Sequence, residues 1–395
     1  MIPCSVLIVE DHPFQHRYLL NLFNDLGVVD VVCAKDGETA LACLGQRDFD
    51  LVITDLLMPG MDGVQFIQGL ARLPSRPALA IMSAASRRML MGASLVASNL
   101  QVKVIGLISK PVTAAALRCL LDQLQALGQA LPAEHQQGFD HDSLLQALNK
   151  GQLQAWFQPK KALSNGQIVA AEALVRWQHP EHGTLLPGAF LPALVACGLE
   201  ERLLWQMLEQ AIAAQTAWRQ QGYEIPVSIN LPTHLLNSHD LPDRIHAFVL
   251  AHQGLPPQIC FELMESSLPD DISNFYAGAC RLRIKGFELS QDDFGTGYSS
   301  YMNLVSAPFT ELKIDRSLVR GCNASDELAQ ALTSIVSLGR QLGLTVVAEG
   351  VETAQELALL RKIGCTQVQG FLISQAVSAG QFQHLLTLDG PARAF

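Results

Sequence analysis

Five polar residues in the first third of the chain stand where apolar runs end. Glu10-Asp11 follow Ser5–Val9, Asp55 closes Leu51–Thr54, Ser83 follows Ala78–Met82, and Lys110 comes just after Val104–Ile108 and before Pro111. Three carboxylates can bind a hard, octahedral Mg²⁺, while the Lys110 ammonium and the Ser83 hydroxyl hold phosphoryl oxygens. Asp55 is then the nucleophile that takes a phosphoryl group. Taken singly, Asp55 ends a strand before the turn Met58-Pro59-Gly60, and Glu10-Asp11 cap a helix. The five together, at successive strand ends, point to one site.

A second set lies downstream. Glu172 interrupts Val169–Val175, Asn230 ends Val227–Ile229, Glu262 ends Ile259–Phe261, Asp292-Asp293 follow Phe287–Gln291, Lys313 sits in Leu312–Arg316, and Glu349 ends Leu344–Ala348. Burying such groups without partners costs several kcal/mol, roughly, for each. Their oxygen donors suit Mg²⁺ or Mn²⁺ and disfavour a zinc site built on His and Cys. Two ions about 4 Å apart can activate water and stabilise a phosphodiester in in-line displacement. Taken singly, Asp315 and Glu352 read as well as a helix cap or strand-end ion pair as they do as functional groups. The glycines of Asp293–Ser300 form no Walker motif and read as a loop carrying the acid pair.

The elements that must position these residues follow from hydrophobic pattern. Short buried runs, with a weaker fifth at Val31–Ala34, alternate with helix-length segments near 14–26, 37–46, 63–72, 86–99 and 112–127. This predicts parallel strands with right-handed crossovers, an α/β doubly wound domain over residues 1–125 whose ligand crevice lies at the carboxyl ends of its strands. A Gln-, Gly-, Pro-, Ala- and His-rich stretch at 126–140 reads as a linker. Residues 141–390 alternate again, with strand-like runs ending near Glu172, Asn230, Glu262, Asp292, Lys313, Glu349 and Gln369 and helical patterns such as 325–342 and 353–363. About 250 residues of this kind suit a TIM-like (β/α) barrel, whose chemistry gathers at the C-terminal face.

Composition narrows the function classes. The 395 residues are 49% hydrophobic and 16% charged, which fills large cores and excludes a disordered chain. The net charge of −10 opposes a bulk footprint for nucleic acid or an anionic membrane. Residues 1–125 hold 10 basic and 11 acidic side chains, so the acidity belongs to the second domain. Nine scattered cysteines without a CxxC pair, and no leader or long apolar stretch, lead us to expect a cytoplasmic protein with reduced thiols.

The first set resembles the receiver domain of bacterial two-component response regulators, carried by Ile8–Pro13, Thr54–Gly63 and Ser109-Lys110-Pro111. The resemblance implies a flavodoxin-like fold, Mg²⁺, and acyl-phosphate formation on Asp55 from a sensor histidine kinase or phosphotransfer protein. Leu107 stands where receivers usually carry Tyr or Phe. The second set resembles EAL-domain cyclic di-GMP phosphodiesterases, carried by Phe157-Gln158-Pro159, Glu172-Ala173-Leu174-Val175-Arg176-Trp177, Ser228-Ile229-Asn230, Glu262-Leu263-Met264-Glu265, Asp292–Gly295, Leu312–Arg316, Ala348–Glu352 and Gln369-Gly370-Phe371.

That resemblance assigns Glu172, Asn230, Glu262 and Asp292 to one metal, and Asp292, Asp293 and Glu349 to a second. Lys313 would orient or help deprotonate the attacking water, with Glu349 nearby. Gln158, Arg176, Asp315, Glu352 and Gln369 would contact the dinucleotide, Arg176 as a phosphate fork, and Glu265 would brace the loop after Asp293. The expected activity is hydrolysis of cyclic di-GMP to linear pGpG, controlled by Asp55. A silent EAL domain acting as a cyclic di-GMP receptor is the alternative. A DNA-binding regulator is disfavoured by the acidic second half and the lack of a helix-turn-helix. Pairing into a homodimer or higher oligomer is also implied, with no DNA or membrane partner.

Overall fold

The computed structural model describes residues 4–28, 30–74, 76–84, 87–129, 139–264, 272–295, 301–323 and 325–389. The chain forms two compact units, residues 1–135 and 136–395.

In the first unit five parallel strands, β1 (Ser5–Val9), β2 (Asp30–Ala34), β3 (Leu51–Asp55), β4 (Ala78–Ser83) and β5 (Val104–Ser109), lie in the order β2-β1-β3-β4-β5. The crossover helices are α1 (Pro13–Asp25), α2 (Gly37–Leu44), α3 (Gly63–Leu70), α4 (Arg87–Asn99) and α5 (Ala114–Gln129). Because successive strand residues face opposite ways, β1 and β3 feed two cores. Val6, Ile8, Leu51 and Ile53 pack with Leu19 and Phe23 of α1 and Leu117 and Leu120 of α5. Leu7, Val9 and Val52 pack with Ala40, Phe66, Ile67 and Leu90 on the other face. The doubly wound fold is thus as the pattern predicts. Order reverses between β1 and β3, which opens the crevice above their carboxyl ends. Asp62 caps α3 in a reciprocal box with Gln65, fixing the loop that leaves Asp55.

The second unit closes eight strands into a barrel: β6 (Leu153–Ala162), β7 (Ile168–His179), β9 (Val227–Asn230), β10 (Ile259–Met264), β11 (Glu288–Phe294), β12 (Glu311–Ile314), β13 (Thr345–Ala348) and β14 (Gln367–Val368). The short β8 (Gly183–Leu185) folds back on β7. Helices on the outer face bury one stripe each. In Asp326–Gln341 the stripe is Leu328, Leu332, Ile335, Val336 and Gly339, at helical spacing.

Two expectations need correction. The strand carrying Glu172 does not end there but continues to His179, which puts Glu172 near its middle. An eighth barrel strand, β6, is absent from the seven expected runs, and it runs antiparallel to both neighbours. Its Gln158-Pro159-Lys160-Lys161 segment looks like a loop because it is polar and holds a proline. Gln158 and Lys160 face the barrel interior, Lys161 turns outward to pair with Asp389, and Pro159 sits where its missing N–H costs nothing. Phe157 exchanges both backbone hydrogen bonds with Val377, and β14 pairs only with Lys161 and Ala162, so no strand awaits an N–H at position 159.

Candidate active and phosphorylation sites

In the first unit, oxygens of Glu10, Asp11 and Asp55 lie within 4.8 Å of one another at the ends of β1 and β3. Lys110 Nζ reaches across from the end of β5, 2.7 Å from Glu10 Oε2 and 2.5 Å from Asp55 Oδ2. Burial alone would depress the lysine, but Asp55 and Glu10 together raise it above its ordinary value, so it stays charged. The Leu57 N–H donates to Asp55 Oδ1 at 3.1 Å. Ser83 is fully buried at the end of β4. All five residues singled out therefore gather at one end of the sheet. Leu107 lies on β5 with its side chain half exposed.

In the barrel, Lys313 of β12 is the hub. Its Nζ lies 2.7 Å from Glu349 Oε1, 2.8 Å from Glu262 Oε2, 2.9 Å from Asp292 Oδ1 and 3.4 Å from Glu172 Oε2. Four strands other than its own supply or lead into these groups, which is why no local pattern could show their proximity. Burial opposes the charge on Lys313, yet Glu172, Glu262, Glu349 and Asp292 outweigh it and hold the ammonium well above the lysine range. One ammonium cannot satisfy four carboxylates. Burial pushes Glu349 up to about 8 and Glu172 up to about 7 despite Lys313. Burial would raise Glu262 too, but Lys313 and Lys160 prevail and hold it at about 2.

Asp292 and Asp293 are consecutive, and in a regular strand would point to opposite faces. A bulge solves this. Gln291 and Phe294 pair with Leu312 and Ile314, leaving one extra residue on β11, and Asp293 adopts φ +55°. Oxygens of Asp292, Asp293 and Glu349 consequently fall within 4.8 Å of one another. Burial, then the neighbouring Asp292 and Asp315, push Asp293 up to about 6. Asp292 Oδ1 is buried and, although near Lys313, accepts no aligned hydrogen bond. The surplus of carboxylates over the single Lys313 ammonium fits a hard divalent cation, and the oxygen-only donor set suits Mg²⁺ or Mn²⁺.

The remaining residues take distinct places. Asn230 ends β9 in register with Glu262 and faces an apolar cavity of about 640 Å³. Gln369 Nε2 donates to Glu172 Oε2 at 2.5 Å and to Gln158 Oε1 at 3.0 Å, and Gln158 donates to the Ser374 carbonyl at 3.0 Å. Arg176, half buried on β7, donates to the Val175 carbonyl. Asp315 caps helix Arg316–Val319 through the Ser317 N–H, and Glu352 lies exposed, its N–H donating to Glu356. Glu265 and residues 296–300 of the glycine loop lie outside the described residues. Sequence reasoning missed Lys160 and Glu311. No local signal marked them, because Lys160 follows a proline in a stretch that reads as a loop and Glu311 opens its strand.

Comparisons with known proteins bear on the family and the fold. The EAL domain profile matches residues 141–376, and the response regulator receiver domain profile matches residues 6–122. The chain therefore belongs to the EAL-domain family, carried behind a response-regulator receiver domain. The cyclic di-GMP phosphodiesterase RocR of Pseudomonas aeruginosa is 31% identical over 96% of this chain and 97% of its own length. The solved PaMucR phosphodiesterase in complex with c-di-GMP superposes with a TM-score of 0.58 at 36% identity, covering 61% of this chain and 98% of that one. The FimX EAL domain of Pseudomonas aeruginosa, at 21% identity and TM-score 0.55 over 59% of this chain and 94% of that one, shares the fold. Among the described residues no helix is long and apolar enough to cross a membrane.

Proposed function

We propose that this chain is a cytoplasmic response regulator that hydrolyses cyclic di-GMP to linear pGpG under control of phosphorylation at Asp55. The observation that carries the reading is the convergence of Glu172, Glu262, Asp292, Asp293 and Glu349 around Lys313 at the mouth of the barrel. The proposed domain limits are 1–125 for the receiver, 126–140 for the linker and 141–390 for the EAL domain.

Glu172, Asn230, Glu262 and Asp292 would hold one Mg²⁺ or Mn²⁺, and Asp292, Asp293 and Glu349 a second. Bound there, the ions supply Lewis acidity toward the phosphodiester and lower the pKa of a bound water. This chain's residues do the rest. Lys313, held charged among the acids, would orient or help deprotonate the attacking water, with Glu349 nearby. Water oxygen bonds to phosphorus, one P–O3′ bond breaks, and the released O3′ gains a proton. Arg176 is half buried, donates among the described residues to the Val175 carbonyl, and its fork suits a phosphate. Gln158 and Gln369, tethered to Glu172, with Asp315 and Glu352, would contact the dinucleotide. Glu265 is assigned to brace the loop after Asp293.

In the receiver, Mg²⁺ on Glu10, Asp11 and Asp55 would leave Lys110 and Ser83 to hold the phosphoryl oxygens delivered by a histidine kinase or phosphotransfer protein. Pairing into a dimer or higher oligomer is part of the reading. The test is product analysis of purified protein with cyclic di-GMP and Mg²⁺, with and without a small phosphodonor. Linear pGpG that vanishes in Asp292→Asn, and a phosphodonor effect that vanishes in Asp55→Asn, support it. Nucleotide binding without product would make the chain a receptor instead.

A further inference from the structure

Where a barrel interior is ordinarily packed with branched apolar side chains, this one contains a fully buried lysine that the proposed chemistry does not use. Lys160 projects inward from the antiparallel strand β6. Its ammonium has three acceptors on three other strands: Ser228 Oγ of β9 at 2.8 Å, Glu262 Oε1 of β10 at 3.2 Å and Glu311 Oε1 of β12 at 2.7 Å. Glu262 is the shared member. Its Oε1 faces Lys160, and its Oε2 faces Lys313 at 2.8 Å.

We propose that Lys160 is a positioning residue, one that pins Glu262 by one oxygen so that the other is presented to the metal site, with Glu311 as its counter-charge. The inference rests on the metal reading given above. A carboxylate fixed at only one oxygen swings about its χ3 torsion, which is soft and two-fold. Lys160 removes that freedom from below, where a dication joining Glu262 to Glu172 and Asp292 would leave the contact intact. Lys313 cannot serve as this anchor, because it competes for the same oxygens as the cation. Glu311 pairs with Lys160 and is not among the proposed ligands, so its charge balances the lysine. Groups of this kind, one bond behind a ligand, typically alter metal affinity by about 10- to 100-fold when removed.

The test is Mn²⁺ binding to the full nucleotide-free chain carrying Asp11→Asn throughout to silence the receiver site, read by the electron paramagnetic resonance of free Mn²⁺, beside circular dichroism and thermal unfolding in EDTA. Lys160→Met alone strands two buried carboxylates and is expected to unfold the barrel. The informative variants are therefore Lys160→Met/Glu311→Gln and Lys160→Met/Glu311→Leu, judged on whichever retains the native dichroism. The proposal expects Mn²⁺ affinity to fall by about 10- to 100-fold in the folded double variant, and to stay at the wild-type value in Glu311→Gln. A folded double variant that is less heat-stable but binds Mn²⁺ like wild type would show that Lys160 only plugs the barrel, and would overturn it. Asp292→Asn separates the two readings. If it binds Mn²⁺ as well as wild type, the metal site is misplaced and this inference goes with it. If it loses Mn²⁺ while the double variant does not, only the role of Lys160 fails.

Discussion

Lys313 and the acids around it set what single substitutions should do. Asp292 belongs to both proposed metal sets and carries a buried, unaligned oxygen, so Asp292→Asn should abolish metal-dependent turnover while the fold survives. A loss of about 10³-fold or more in kcat/KM, with the unfolding midpoint within a few degrees of wild type, is the expected outcome of kinetics and calorimetry. In the receiver, Asp55→Asn keeps the shape and removes the nucleophile. Basal hydrolysis should be unchanged and the response to a small phosphodonor absent, as measured by product formation. These residue types were legible in the sequence because each interrupts an apolar run. Lys160 and Glu311 were not, since a lysine after a proline reads as solvated and a glutamate at a strand start reads as an edge.

Two element-level devices bring the acids to their places, and both rest on backbone. The first is the close approach of α3 to the end of β3. A Cβ on Gly63 would overlap the Asp55 carbonyl oxygen and stand 2.7 Å from Leu56 Cα, so Gly63→Ala must push the phosphorylation loop away. Receiver stability should drop by about 1–3 kcal/mol in denaturant titration, with phosphodonor uptake by Asp55 reduced. The second is the capping box that opens helix Ala354–Ile363. Thr353 accepts from the Glu356 N–H, and Glu356 accepts from the N–H groups of both Thr353 and Glu352. Thr353→Ala should cost about 1 kcal/mol of stability and raise KM through the displaced Glu352, while kcat changes little. The helices around these loops were legible from periodicity and caps. The β11 bulge was not, because its extra residue shows only against β12.

For the whole molecule, the metal-free barrel stores charge repulsion that pH should reveal. Glu172 and Glu349 rise from an ordinary 4.5 to about 7 and about 8, so the folded state keeps protons that the unfolded chain has released. Their contribution to stability is full below the unfolded value of 4.5 and is lost as pH climbs to about 8. Glu262, held at about 2, works in the opposite sense, stabilising above 4.5 and losing that effect only as pH falls toward 2. In EDTA the barrel's unfolding temperature should therefore decline from pH 5 to pH 8.5. Added Mn²⁺ should raise it more at pH 8.5 than at pH 6, since binding requires the deprotonated acids. A scanning calorimetry series with and without Mn²⁺ checks both slopes.

The sequence by itself determined the two-part α/β plan, the strand-end placement of Asp55 and Lys110, and the identity of the acids at the barrel mouth, because strand ends and apolar runs are local features. Only the tertiary structure decided that β6 closes the barrel antiparallel, that a bulge turns Asp292 and Asp293 toward Glu349, and that Lys313 sits among four carboxylates with Lys160 beneath Glu262. Those facts depend on register between strands far apart in the chain. A side chain's distance from its partners is set by that register, and no window of the sequence contains both partners at once.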